Sequence, residues 1–177
     1  QLTQQFVDLG RIAGADVPSL IREGTRVFAD FNVPVEDAQS NLDMLWKVSQ
    51  ATGIGVQQLM QQLQASGAAF RAMGLDITES AVLLGQMERE GVDVAAAMTG
   101  LSKAVAAAAK EGKPAQQAIQ ELFDSIKNAK DPTEAMGIAI ETFGGKAGPK
   151  LADAIRSGRM EYQELVEAVM ASEETIA

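Results

Sequence analysis

Carboxylates are the first candidates for chemistry in this chain, because its 177 residues include no histidine and no cysteine. That absence excludes zinc sites of the usual ligand types, hydroxyl or thiol nucleophiles activated by imidazole, and titration switches near neutral pH. What remains is paired glutamate work. Glu88, Glu90 and Glu141 are of the residue type that all-helical cell-wall-cleaving hydrolases use as general acid and base in a sugar cleft. Such clefts stack sugar rings on aromatic side chains, and the suitable platforms here are Trp46 and Tyr162. Both fall on apolar helical faces, where core packing accounts for them.

Two aspartates form a second candidate. Gly74-Leu75-Asp76-Ile77 and Gly91-Val92-Asp93-Val94 repeat one phrase, glycine, apolar, aspartate, apolar. Asp76 and Asp93 could hold a metal, or mark helix N-termini that attract anions. An aspartate already at the N-cap repels a phosphate, however, and a calcium loop needs several oxygen ligands at close spacing. The run Gly144-Gly145-Lys146-Ala147-Gly148-Pro149-Lys150 resembles a phosphate loop only in composition. It lacks the G-x-x-x-x-G-K-[ST] spacing, and no strand signal precedes it. The expectation is no enzyme, no cofactor, no metal and no small-molecule substrate.

The elements that carry these residues read as helices throughout. Apolar positions recur at helical spacing in nine segments. Val17, Leu20, Ile21, Val27, Phe28 and Phe31 line the first face, and Val35, Ala38, Leu42, Leu45 and Trp46 the second. Val56 to Phe70, Ile77 to Met87, Val94 to Ala108 and Ala115 to Ile126 follow. Three shorter segments close the chain: Ala135, Met136, Ala139, Ile140 and Phe143; Leu151, Ala154 and Ile155; and Leu165, Val166, Val169 and Met170. Methionine fills irregular gaps in cores, so Met60, Met87, Met98, Met136 and Met170 are expected there, with an adaptable partner groove as the sharper alternative. The expected fold is all-α, an irregular array of about nine short amphipathic helices joined by Gly/Pro/Asp turns. A single helical domain over residues 1–177 is expected, since no Ser/Gly linker divides the chain.

The repeated phrase then reads as punctuation. Gly74 and Gly91 supply the left-handed residue that ends a helix, Asp76 and Asp93 cap the next, and Glu79 falls at the reciprocal capping position. Gly53-Ile54-Gly55-Val56 repeats the glycine and apolar pair without the aspartate. Asp131-Pro132-Thr133-Glu134 predicts a cap, a first-turn proline and a capping box. Pro34 is expected to open a helix, and Gly144-Gly145 with Gly148-Pro149 to make a double break. Gly158 is expected to make another.

A net charge of −9 argues against binding along phosphate backbones. Val48 to Phe70 carries no charge, but Gln57, Gln58, Gln61, Gln62 and Gln64 interrupt it, which argues against a membrane span. The chain opens on Gln1 without a basic and apolar leader, and is expected to be a fragment or a processed chain.

Several of these turns occur in an order that resembles a known family. Ala51-Thr52-Gly53-Ile54, then Gly67 to Leu75 with Phe70, then Glu79-Ser80-Ala81-Val82-Leu83-Leu84, Gly91-Val92 and Met98-Thr99-Gly100-Leu101 are similar to the core domain of phage tail tape measure proteins of the TP901 type. Ala139 to Gly148, with Phe143 and Gly144, is similar to that family's h-F-G-x-x-A segment, where h is apolar. The motif positions are Gly53, Phe70, Gly74, Asp76, Gly91, Asp93, Gly100, Phe143 and Gly144, and all of them serve turns or packing. The resemblance implies a structural virion protein of a phage or prophage tail, assembled in the bacterial host cytoplasm. It implies a longer parent that acts in tail tube assembly, length determination and genome ejection. Implied partners are the tail tube protein, tail assembly chaperones and tail tip or baseplate proteins, with an oligomer possible in the tail. A helical adaptor for protein–protein interaction is the alternative, and would show a contiguous exposed apolar patch.

Overall fold

The computed structural model describes residues 1–176, and among them it contains nine α-helices and no strand. These are α1 (Leu2–Ala13), α2 (Val17–Asp30), α3 (Ala38–Thr52), α4 (Val56–Ala72), α5 (Ile77–Arg89), α6 (Val94–Lys110), α7 (Ala115–Lys127), α8 (Pro132–Arg156) and α9 (Tyr162–Ala171). The all-α expectation holds, but the helices are counted differently. The sequence pattern misses α1, where Gln4, Gln5, Asp8 and Arg11 dilute an apolar face that rests on Phe6 and Leu9, both fully buried. Its division of α8 into two corresponds to a kink at Gly144, where the backbone is non-helical and two helical halves meet.

The repeated phrase is a helix-to-helix connector built from backbone hydrogen bonds. After α4, the Leu75 N–H donates to the Phe70 carbonyl at 3.1 Å and the Gly74 N–H to the Arg71 carbonyl at 2.9 Å, with Gly74 at φ 81°. After α5, Val92 donates to Met87 at 3.0 Å and Gly91 to Glu88 at 3.1 Å, with Gly91 at φ 67°. These are paired 6→1 and 5→2 bonds, which satisfy carbonyls that a helix end otherwise leaves free. The apolar residue that follows each glycine, Leu75 or Val92, turns inward and is buried. Asp76 and Asp93 then accept the backbone N–H of Glu79 at 2.8 Å and of Ala96 at 3.0 Å. Gly14-Ala15-Asp16-Val17 is a third copy between α1 and α2: Gly14 is left-handed, and Asp16 caps Ser19 at 3.0 Å.

Other turns depart from expectation. Pro34 does not open a helix directly; it caps a short 3-10 turn, Val35–Asp37, that runs into α3. Asp131 caps Glu134 at 2.8 Å, but the Glu134 carboxylate reaches past it to the Lys130 N–H at 2.6 Å. Gly148-Pro149 is not a break, because α8 continues through it to Arg156. The break lies only at Gly144. Gly158 does end α8, with φ 77° and the Arg159 N–H on the Ala154 carbonyl at 3.0 Å.

Packing arranges the helices in two groups. In the first, α2 lies on α4, α3 on α5, and α1 against α2 and α3. In the second, α8 packs on both α6 and α7. The direct contacts of α6 with α4 and α5 are sparse, while α9 lies on α5 and α3 and carries Tyr162 edge-on to Phe123 of α7 at 6.3 Å. Met60, Met87 and Met98 are core residues, whereas Met136, Ile140 and Met170 are exposed. Ala135, Ala139 and Phe143 take the buried face of α8, and Val166 and Val169 that of α9. The apolar stripe in the sequence is therefore wider than the buried one.

Candidate functional site: the crossing of α6 and α8

Of the nine motif positions, the structure brings Gly100, Phe143 and Gly144 together. Gly100 is buried near the middle of α6 and faces the bend in α8. A β-carbon built on Gly100 would lie 2.1 Å from the Thr142 carbonyl oxygen and 2.9 Å from Phe143 Cα. The two backbones therefore touch, which only a residue without a side chain allows. Phe143 is buried beside this contact, and Gly144 follows at φ 80° and ψ 173°. That combination of angles is open to glycine and strained for L-residues with a side chain.

The bend folds α8 onto itself. A β-carbon on Gly148 would lie 2.8 Å from both the backbone N and Cα of Ile140 and 2.9 Å from the Ala139 carbonyl oxygen. A straight helix separates residues eight apart by about 12 Å, so the two halves of α8 form a tight corner at Gly144. Beyond it, Lys150 donates to the Gly91 carbonyl at 3.0 Å. The Arg156 guanidinium donates to the carbonyls of Ile126, Lys127 and Ala129 at 2.9–3.3 Å and so caps the end of α7. Gly148 was visible in the sequence only as a breaker, because its partners Ala139 and Ile140 are brought to it by the corner at Gly144.

The other six positions do not join this site. Gly53, Gly74 and Gly91 end α3, α4 and α5, while Asp76 and Asp93 cap α5 and α6. Phe70 is fully buried, and its carbonyl accepts from Leu75.

Of the three candidate glutamates, Glu90 has structural partners. Glu90 pairs with Arg89 at 3.4 Å and Arg159 at 3.2 Å, and Arg89 donates to the Arg159 carbonyl. Glu88 is half-buried and Glu141 exposed. The carboxylate held above its ordinary range is Glu79, which burial raises against the opposing effect of the Asp76 N–H at 3.2 Å. Both arms of its capping box form, as its position in the sequence predicts. The Tyr162 hydroxyl donates to its other oxygen at 3.4 Å, and burial raises that phenol as well. This is a buried joint between α5 and α9. Trp46 is half-buried at the edge of a shallow depression, and Tyr162 is buried.

Among the described residues, no cluster of three or more acidic side chains is placed to hold a metal ion, and no helix is long and apolar enough to cross a membrane. The exposed large apolar side chains, Ile12, Val35, Met136, Ile140 and Met170, are spread over four elements.

The motif positions thus serve capped turns and backbone contact at glycines in an all-helical fold. The model of the phage-related minor tail protein family matches residues 1–170. The chain belongs to that family, which assigns it a structural role in the phage tail, a place in the virion tail and other tail proteins as neighbours. No match was found among curated proteins or among solved structures.

Proposed function

We propose that the chain is a single helical domain of a longer tape measure protein, without catalytic activity, that acts in tail tube assembly, tail length determination and genome ejection. One observation carries this reading: the ordered turn motifs lie within the segment matched by the tail protein family, and two of them meet at the Gly100–Phe143 contact. Tail tube protein, assembly chaperones and tip or baseplate proteins are the partners on this reading. Nine positions, Gly53, Phe70, Gly74, Asp76, Gly91, Asp93, Gly100, Phe143 and Gly144, serve turn and packing roles in it.

The test is in-frame deletion of Leu2 to Ile176 from the parent gene in a tail-producing lysogen, with tail lengths measured by electron microscopy. As continuous helix the segment would span roughly 260 Å; as a compact domain it would span about 40 Å. Tails shortened by hundreds of ångströms make it part of the ruler. Absent tails, or tails of near-normal length that fail to infect, make it a folded assembly or ejection module. Fully infectious phage with normal tails would overturn the reading.

A further inference from the structure

The first helix and the last described residues are held by one oxygen atom. Asp43 on α3 accepts, at Oδ1, the Gln5 side-chain amide of α1 at 2.7 Å. The same oxygen accepts the backbone N–H of Ile176 at 2.8 Å. Gln5 is itself buried, and its amide also donates to the Gln39 carbonyl at 3.2 Å. After α9, Ser172 adopts an extended conformation, and its carbonyl accepts from Lys47 Nζ of α3 at 2.5 Å. Ile176 is buried at the far end of this strap. One turn of α3, from Asp43 to Lys47, therefore receives both the strap and α1.

From this we propose that Asp43 is a clasp that joins α1 to the strap after α9, so that a longer parent would carry the folded segment between them as a side loop. The inference rests on the reading of a longer parent. Residues whose polar groups meet on one oxygen are neighbours in space although the whole domain separates them in sequence. The folded domain then adds almost nothing to the path length of the parent, while the same segment, released and fully stretched, spans roughly 600 Å. Opening begins at the clasp, because the strap and α1 are the segments through which tension enters. A carboxylate that receives a backbone N–H and a side-chain amide makes charge-assisted bonds, the stronger class of hydrogen bond. Both are lost together when Asp43 is removed.

Hydrogen exchange on the 177-residue chain tests this without reference to tail length. In Asp43→Ala, amides of Phe6 to Gly10 and of Ser172, Glu174 and Ile176 should exchange about tenfold faster or more, while those of α6 and α7 keep their wild-type rates. Asp43→Asn retains a carbonyl acceptor and should recover part of the protection at both ends. Lys47→Ala removes only the Ser172 contact and should loosen the strap first. If Asp43→Ala frees one end and leaves the other unchanged, the shared clasp is overturned. Uniform acceleration in every helix overturns it too, because the ends would then open only with the whole domain. The tail-length experiment fails or succeeds independently of these outcomes.

Discussion

The two helix groups use glycine in opposite ways. In α1–α5, glycine makes room for side chains: a β-carbon on Gly24 would meet the Phe6 ring at 2.7 Å, one on Gly10 would meet Val17 Cγ2 at 2.5 Å, and one on Gly67 would meet Arg71 Nη1 at 2.6 Å. In the α6–α8 group it makes room for main chain, with Gly100 against Thr142 and Phe143 and Gly148 against Ala139 and Ile140. A side chain can change rotamer and yield. Main-chain atoms have no rotamer to change, and yield only if the helix that carries them moves. The first group should therefore tolerate added volume, and the second should not.

Gly100→Ala is the severest break of that comparison. The added methyl overlaps a carbonyl, so α6 must lift from α8. Overpacking typically costs 1–3 kcal/mol, and backbone-on-backbone overlap belongs at the upper end, at about 3 kcal/mol or more. Denaturant midpoints of wild type and variant measure it. A loss below about 1 kcal/mol would mean that the α6–α8 contact yields as easily as a side chain.

Gly144→Ala separates conformation from contact. No side chain and no backbone from beyond its own stretch of α8 lies within 4 Å of a β-carbon built there, so the effect comes from φ 80° with ψ 173°. The expected loss is about 1–3 kcal/mol. Gly53, at φ 74° and ψ 5°, lies instead in the left-handed region that asparagine tolerates, as Asn32 does at φ 53°. Gly53→Asn should cost only a few tenths of a kcal/mol, and Gly144→Asn should not rescue the corner. Equal losses for the two asparagine variants would show that ψ at Gly144 is not what matters.

The same contrast explains what the sequence made legible. The turns after α4 and α5 are local: glycine, inward apolar residue and capping aspartate lie within four positions, and their hydrogen bonds reach back no further than Phe70 and Met87. Asp76 and Glu79 could thus be assigned roles from spacing alone. Gly100 meets Thr142 across 42 positions, and no periodicity in α6 points to that partner. Gly148 was misread for the same reason, since a glycine that packs and a glycine that ends a helix look alike in one dimension. Met136 and Ile140 share the spacing of a core face, but α8 is covered on the Ala135–Ala139 side only. Asp43 gave no signal at all, because its partners lie at opposite ends of the chain.

Glu79 offers a gentler test at the joint between α5 and α9. Its folded-state pKa lies above the ordinary value of 4.5. Its contribution to stability is therefore complete below the unfolded-state value and is lost as pH rises through the folded one. Glu79→Gln keeps an acceptor for the Asp76 N–H and removes the buried charge. The variant should match wild type below pH 4.5 and gain on it as pH rises to 7. A variant that is weaker at pH 7 than at pH 4, relative to wild type, would show that the ionised carboxylate is the stabilising form.

Gly67→Ala should have the smallest effect, and its sign is the informative part. The atom in its way is the tip of Arg71, whose guanidinium carbon sits 5.1 Å from the centre of the Phe31 ring. Swinging Arg71 outward sacrifices that cation–π contact, worth about 0.5–1 kcal/mol at a partly exposed site. Against this, alanine in the interior of α4 gains about 1 kcal/mol of helix propensity over glycine. It also frees a guanidinium nitrogen that is buried without a hydrogen-bond partner. The favourable terms match or exceed the lost contact. A denaturant midpoint at or just above wild type is expected, beside the large loss at Gly100. A loss at Gly67 as large as that at Gly100 would erase the distinction between glycines that face side chains and glycines that face backbone.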